Sequence, residues 1–256
     1  MLAIAAPLRQ LERRRQHRVA LLALLAISAI SIGKFSERWI GPSSASILWD
    51  WLPGALMLIP YWQVGVFFVA PDHVMEERLS AFDHNVFQWL RTRPAETRIP
   101  RPIVAYLELA YFLVYPLVPL GVVVLYRTGL RTKVDFYWAV VLSATYVCYG
   151  CTLMIRARPP RLLIGHEGFP MPKTAIRAAN REILDRASIQ AITCPSAHVA
   201  SALVLVHFQT SIGLLFVWAA LSIAAATIVG GYHYVADVLS AAMVAMFVFA
   251  IACFVA

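Results

Sequence analysis

Charge is what this chain has least of. Only 14% of its 256 residues are Asp, Glu, Lys or Arg, while 60% are hydrophobic and the mean hydropathy is +0.69. A soluble domain is about a quarter charged and about 45–50% apolar, so this shortage excludes an ordinary soluble fold and indicates an integral membrane protein. Acids are scarcer than bases, 14 against 22, which leaves a net charge of +8. On a membrane protein that excess speaks for topology and contact with anionic headgroups rather than nucleic-acid binding. Cysteine is also sparse: Cys148, Cys151, Cys194 and Cys253 show no regular loop spacing. Cys148-x-x-Cys151 lies inside an apolar segment and reads as two small core residues, not a redox or metal pair. No internal repeat and no low-complexity tract is present. The N-terminus has a basic region and an apolar run without a small-residue cleavage site, and reads as a retained anchor.

A spanning helix needs about 20 apolar residues. The run at 19–33 is short, and the run at 47–70 is interrupted by Asp50, Pro53 and Pro60. Residues 74–91 place Val74, Leu79, Phe82, Val86, Phe87 and Leu90 at roughly helical spacing, which predicts an amphipathic helix at the interface. A polar connector leads to apolar runs at 103–126 and 134–155, joined by a basic turn holding Arg127, Arg131 and Lys133. A polar segment follows, its second half (172–189) read as a surface helix. Then come runs at 196–208, 212–229 and 235–256, so closely connected that they must be antiparallel neighbours. The expected architecture is an all-α polytopic helical bundle. It divides into an N-terminal anchor with the interfacial segment (1–101) and a membrane core (102–256).

The informative residues cluster at segment ends. Arg156, Arg158 and Arg161 end one apolar run. Pro195-Ser196-Ala197-His198 opens another, and Gly230-Gly231-Tyr232-His233 with Asp237 opens the last. His233 and Asp237, at i and i+4, share a helix face. Phosphoryl transfer needs positive charge on the non-bridging oxygens, a nucleophile and a proton donor for the leaving oxygen. Arg158 can grip phosphate bidentately. His233 can attack phosphorus, Asp237 can fix its tautomer, and His198 can protonate the leaving alkoxide. Ser196 and the free N–H groups after Pro195 suit an anion, and Gly230 and Gly231 allow close backbone approach. Each piece also has an ordinary reading, as an interfacial histidine, a topology anchor or a helix-start carboxylate. Their joint occurrence at matching ends, where ionisable groups are costly, favours function. His17, His73 and His84 read as interfacial, His166 as a loop residue able to touch a headgroup, and His207 as remote from the site.

These three pieces resemble the signature of the type 2 phosphatidic acid phosphatase superfamily, the lipid phosphate phosphatases: Lys-x6-Arg-Pro, Pro-Ser-Gly-His and Ser-Arg-x5-His-x3-Asp. The resemblance covers roughly residues 100–256. It implies a six-helix core with no metal and no cofactor, His233 as nucleophile, Asp237 as its partner, His198 as acid and Arg158 as phosphate ligand. Cys151 stands where the first motif has lysine, Ala226-Thr227 replace Ser-Arg, and Ala197 replaces glycine. Arg156, Arg161 or Lys173 are the candidates to replace the lost cations, with Ser196 and Gly231 also at the phosphate. The run around His233, and Glu108 through Pro119, are similar to the inositol phosphorylceramide synthase branch, which passes a phospho-headgroup to an alcohol. Glu108 and Tyr111 read as packing or supporting groups.

The expected activity is hydrolysis of a lipid phosphate or phosphodiester through a phosphohistidine. The alternatives are headgroup transfer to a lipid alcohol and a non-catalytic lipid-binding or lipid-translocating protein; a haem protein with paired histidines is more distant. Partners are a membrane lipid and the bilayer, with no nucleic acid. The N-terminal arginines and the turn at 127–133 both argue for the cytoplasmic side, which requires one early apolar run not to cross. The resulting expectation is a multi-pass protein of a bacterial inner membrane with its site facing the extracytoplasmic side. If every run crosses, the site faces the cytoplasm instead.

Overall fold

Long apolar stretches with so few charges satisfy their backbone polar groups internally, and in lipid the helix does so within a single segment. The computed structural model describes residues 11–91, 99–163, 172, 174–189, 191–205 and 213–255, and among them there are helices and no strand. The protein is an all-α membrane bundle. Helix α1 (Arg13–Phe35) is followed by α2 (Glu37–Leu56) and α3 (Leu58–Phe67), then α4 (His73–Arg91). Next come α5 (Arg101–Phe112), α6 (Val114–Arg127) and α7 (Val134–Thr152). A polar segment carrying α8 (Ala175–Ala187) leads to α9 (Ala197–Leu205), α10 (Gly213–Val229) and α11 (Val235–Val255). Helix α1, the stretch Arg131–Thr152 and the stretch Val235–Phe254 are each long and apolar enough to cross a membrane. The run at 103–126 is not one straight span: α5 and α6 meet at Leu113 with a 59° bend.

Helices α7, α9 and α11 form the centre, sealed by Val141, Ala144, Cys148, Val199, Ala200, Ala202 and Ala241, all fully buried or nearly so. Small residues there let helix backbones approach closely, which is how helices associate in lipid. Cys148 sits in that core, as its apolar context predicts. Lipid-facing surfaces stay apolar: Leu21, Leu24 and Leu25 on α1, and Met243, Met246 and Phe247 on α11, are exposed.

Both early runs traverse the bundle. Helix α1 is long enough because its polar start joins the apolar run, giving 23 residues. Helices α2 and α3 return alongside it. Gly33 packs on Trp49 and Leu52, the Gln63 amide donates to the Val19 carbonyl, and Arg15 donates to the carbonyls of Val66 (3.0 Å) and Phe68 (3.2 Å). The return path bends at Gly41, whose φ of +77° suits glycine, just before Pro42. At the far end Arg131 bonds Asp50 at 2.8 Å and also reaches Ser46, while Tyr126 donates to Asp50. At the near end the Asp72 N–H donates to the Arg156 carbonyl. The arginines of α1 and the turn at 127–133 therefore lie on opposite sides of the bundle. This corrects the expectation that they share a side.

Single cysteines at Arg14 and at Thr128 should be labelled by an impermeant maleimide from opposite sides of sealed vesicles. Labelling of both from one side would refute this arrangement.

Candidate active site

The site begins with backbone hydrogen bonds between segments far apart in sequence. The Arg161 N–H donates to the Gly231 carbonyl (3.0 Å), Ile192 N–H to the Ala157 carbonyl (2.8 Å), and Ser196 N–H to the Asp237 carbonyl (3.1 Å). The turn before α11 is held by Thr227, whose carbonyl accepts from both Tyr232 and His233. Thr227 is fully buried, at the position where the superfamily pattern has arginine. Gly231 has φ +72°, a left-handed backbone that a side chain would strain. Gly231 thus reaches the cleft indirectly, by seating Arg161 through its carbonyl.

His233 is 5% exposed and Asp237 is fully buried; Nδ1 lies 3.4 Å from Asp237 Oδ2. The same Oδ2 accepts the Tyr234 N–H at 3.0 Å. A proton on Nδ1 directed at the carboxylate leaves Nε2 unprotonated, the form needed for attack. The separation is long for a hydrogen bond, as unliganded catalytic pairs often are. His198, in the first turn of α9, faces His233 with ring centres 6.1 Å apart and planes at 89°. Tyr111 and Tyr115 each sit 5.8 Å from the His198 ring.

His198, His233 and Arg161 line one cavity of about 40 Å³, walled by Tyr61, Tyr111, Tyr232, Ser188, Ile189 and Thr193 among others. Such a volume admits only about two or three waters, so the cleft is narrow. Its tyrosines are fixed by specific partners. Tyr232 stacks on Tyr111 at 3.9 Å and donates to Glu108 at 2.6 Å; Glu108 also accepts from Asn180 (2.8 Å) and pairs with Arg177 (3.1 Å). Tyr61 accepts the Ile189 N–H at 3.0 Å. Glu108 is 1% exposed, and a carboxylate so buried stands only when paired. It is a supporting group for the cavity wall, as its position in sequence suggests.

Several expected phosphate ligands are placed elsewhere. Arg158 forms a bidentate pair with Glu76 of α4, Nε to Oε1 and Nη2 to Oε2 at 2.9 Å each, and its N–H donates to Oε1 at 2.8 Å. It does not line the cavity. Two prolines separate Arg158 from Arg161, and the short 3₁₀ turn Pro160–Leu162 swings Arg161 inward. Ser196 is fully buried; its hydroxyl accepts the Val199 N–H at 3.4 Å, so it caps α9. The Arg156 side chain is exposed, outside the cavity lining. Lys173, His166 and His207 lie outside the described residues.

Glu76 carries the largest share of this arrangement that the sequence reading missed. It lies 82 residues before Arg158, and nothing local marks it except its place on an amphipathic helix. The buried face of α4 covers the site segments: Leu79 packs with Ala157, Ile192, Cys194 and Tyr234. Asp83 accepts the Val235 N–H at 2.9 Å, capping α11. The Arg158 guanidinium holds the Glu76 carboxyl below its usual 4.5, so that pair is at full strength at neutral pH and is lost only in acid. Burial pushes Asp83 the other way, from 3.8 to about 6.

The fold and the site define a polytopic membrane protein whose buried histidine pair and arginine share one small cleft. A sequence model of the PAP2 superfamily matches residues 75–251. The chain belongs to that superfamily, the type 2 phosphatidic acid phosphatases. No curated protein and no solved structure gives a significant match. Members are generally phosphatases, which supports a phosphatase-type phosphoesterase. The match begins in α4, consistent with the packing of that helix on the motif segments.

A group whose folded pKa is raised contributes stability that is present below its unfolded value and lost as pH rises through the folded one. Asp83 should therefore cost stability between about pH 4 and pH 6. Asp83→Asn keeps an acceptor for Val235 but removes the titration. Thermal unfolding in detergent at pH 4.5 and pH 7 should show a smaller loss across that interval for the variant. An unchanged difference would refute the assignment.

Proposed function

We propose that this protein is a membrane phosphoesterase that cleaves a lipid phosphodiester through a phosphohistidine on His233, with Arg161 as the phosphate ligand. The observation that supports the reading is the convergence of His198, His233 and Arg161 on one cleft. Nε2 of His233 attacks phosphorus, and the bond from phosphorus to the leaving oxygen breaks. His198, protonated beforehand, gives its proton to that oxygen. Asp237 stabilises the proton on Nδ1 and the positive ring. In the second half His198 takes a proton from the incoming hydroxyl, which attacks phosphorus and frees His233. Arg161 carries the non-bridging oxygens through both steps.

Among the described residues that line the cleft, Arg161 is the one lysine or arginine. One guanidinium suits a singly charged phosphodiester better than a dianionic monoester. Transfer of the phospho-headgroup to a lipid alcohol is the second reading. A cleft walled mainly by tyrosine and aliphatic groups favours an alcohol acceptor over water.

The orientation follows from charge. The site side carries four arginines on α1, two on α4, three at 156–161 and three on α8; the opposite side carries Lys34, Arg38, Arg127, Arg131 and Lys133. By the positive-inside rule this imbalance supports a cytoplasmic cleft, the alternative to the extracytoplasmic expectation.

His233→Ala should abolish turnover, and Arg161→Ala should lower it by about 10²–10³. Arg158→Ala should instead lower the unfolding temperature with a smaller effect on turnover. Activity assays on purified protein with phosphodiester and phosphomonoester lipids, with and without a lipid alcohol, test this. A fully active Arg161→Ala beside a dead Arg158→Ala would mean that Arg158 leaves Glu76 to hold the phosphate, and would overturn the assignment.

A further inference from the structure

A second cavity lies on the other face of α3, away from the histidines. It is about 490 Å³, well within the range of ligand sites, and is lined by Leu21, Leu22, Trp62, Gly65, Val66 and Phe68, with Arg15 and Arg18. Its long walls are apolar and both arginines come from the start of α1. Arg18 is exposed. Arg15 donates through one nitrogen to two backbone carbonyls at the end of α3, and among the described residues neither arginine has a carboxylate partner. Helix α1 is almost unburied along its apolar length, so the groove opens sideways into hydrocarbon. Uncompensated guanidinium charge at one end and an apolar trough open to the bilayer describe an amphiphile with an anionic head.

We propose that this groove binds one anionic phospholipid, its phosphate on Arg15 and Arg18 and its acyl chain against Leu21, Leu22 and Phe68. The site is separate from the cleft but shares a wall with it. Tyr61 of α3 faces the cleft and Trp62 faces the groove; Trp62 also donates to the Ala187 carbonyl, and Gly65 abuts Ile189, a cleft residue.

The test is lipid retention by the full-length chain, which does not depend on any enzymatic reading. The protein is purified from nanodiscs of phosphatidylcholine with one fifth phosphatidylglycerol, and bound lipid is counted by native mass spectrometry. The wild type should retain one phosphatidylglycerol in preference to phosphatidylcholine. Arg18→Gln should weaken that preference about tenfold, the scale of one charge-assisted hydrogen bond. Leu21→Trp, which fills an exposed stretch of the groove and touches no hydrogen bond, should abolish retention even if an Arg15 variant fails to fold. Equal retention of both lipids, or undiminished phosphatidylglycerol in Leu21→Trp, would overturn the proposal. So would retention that appears only after residues 1–10 are removed, because that segment would then be the occupant.

Discussion

The architecture depends on keeping irregular backbone satisfied at the edge of a membrane bundle. Unpaired N–H and C=O groups are costly wherever water is scarce. Here the loops after α7, before α9 and before α11 cross-bond to one another, 161 to 231, 192 to 157 and 196 to 237. Those three contacts fix the relative placement of Arg161, His198 and His233 before any side chain interacts. Tyr234, fully buried and donating to the Arg158 carbonyl at 3.1 Å, ties the same segments from beneath.

Over this knot lies α4, fastened by Glu76 and Asp83. An amphipathic helix at an interface ordinarily gives its apolar face to lipid. In this chain Val74, Phe82 and Val86 remain exposed while Leu79 and the two carboxylates turn inward. The helix is thus part of the scaffold of the site and not merely an anchor. Its grip on Arg158 explains how the chain manages with Arg161 in the cleft: the guanidinium nearest the superfamily motif is used to hold structure.

Much of this was legible in the sequence. The shortage of charge announced the bundle, and the i, i+4 spacing brought His233 to Asp237, although His233 lies in the turn before α11 and not on the helix face expected. The pairing of His198 with His233 followed from matching segment ends. What remained hidden was non-local or set by a few dihedrals. No spacing rule separates Arg158 from Arg161, because their different fates come from a proline-directed turn and from a glutamate 82 residues away. Ser196 looked like an anion ligand because helix-start hydroxyls serve anions and caps alike. The break at Leu113 was invisible because hydropathy runs on unbroken through it. The side of the turn at 127–133 was misjudged because an interrupted apolar run, 47–70, still completes its passage as two helices.

The two walls of the cleft come from different parts of the chain. The His198 ring stands on the first turn of α9 and the His233 ring on the turn before α11, whereas Leu184 reaches the cavity from α8 and Ser188, Ile189 and Ala191 from beyond its end. Helix α8 is moored to the bundle by Arg177 and Asn180 through Glu108. Substitutions along α8 and just beyond it can therefore reshape one wall of the cleft while the two imidazoles keep their places. Paralogues of this architecture would be expected to diverge most at those positions and least around the rings.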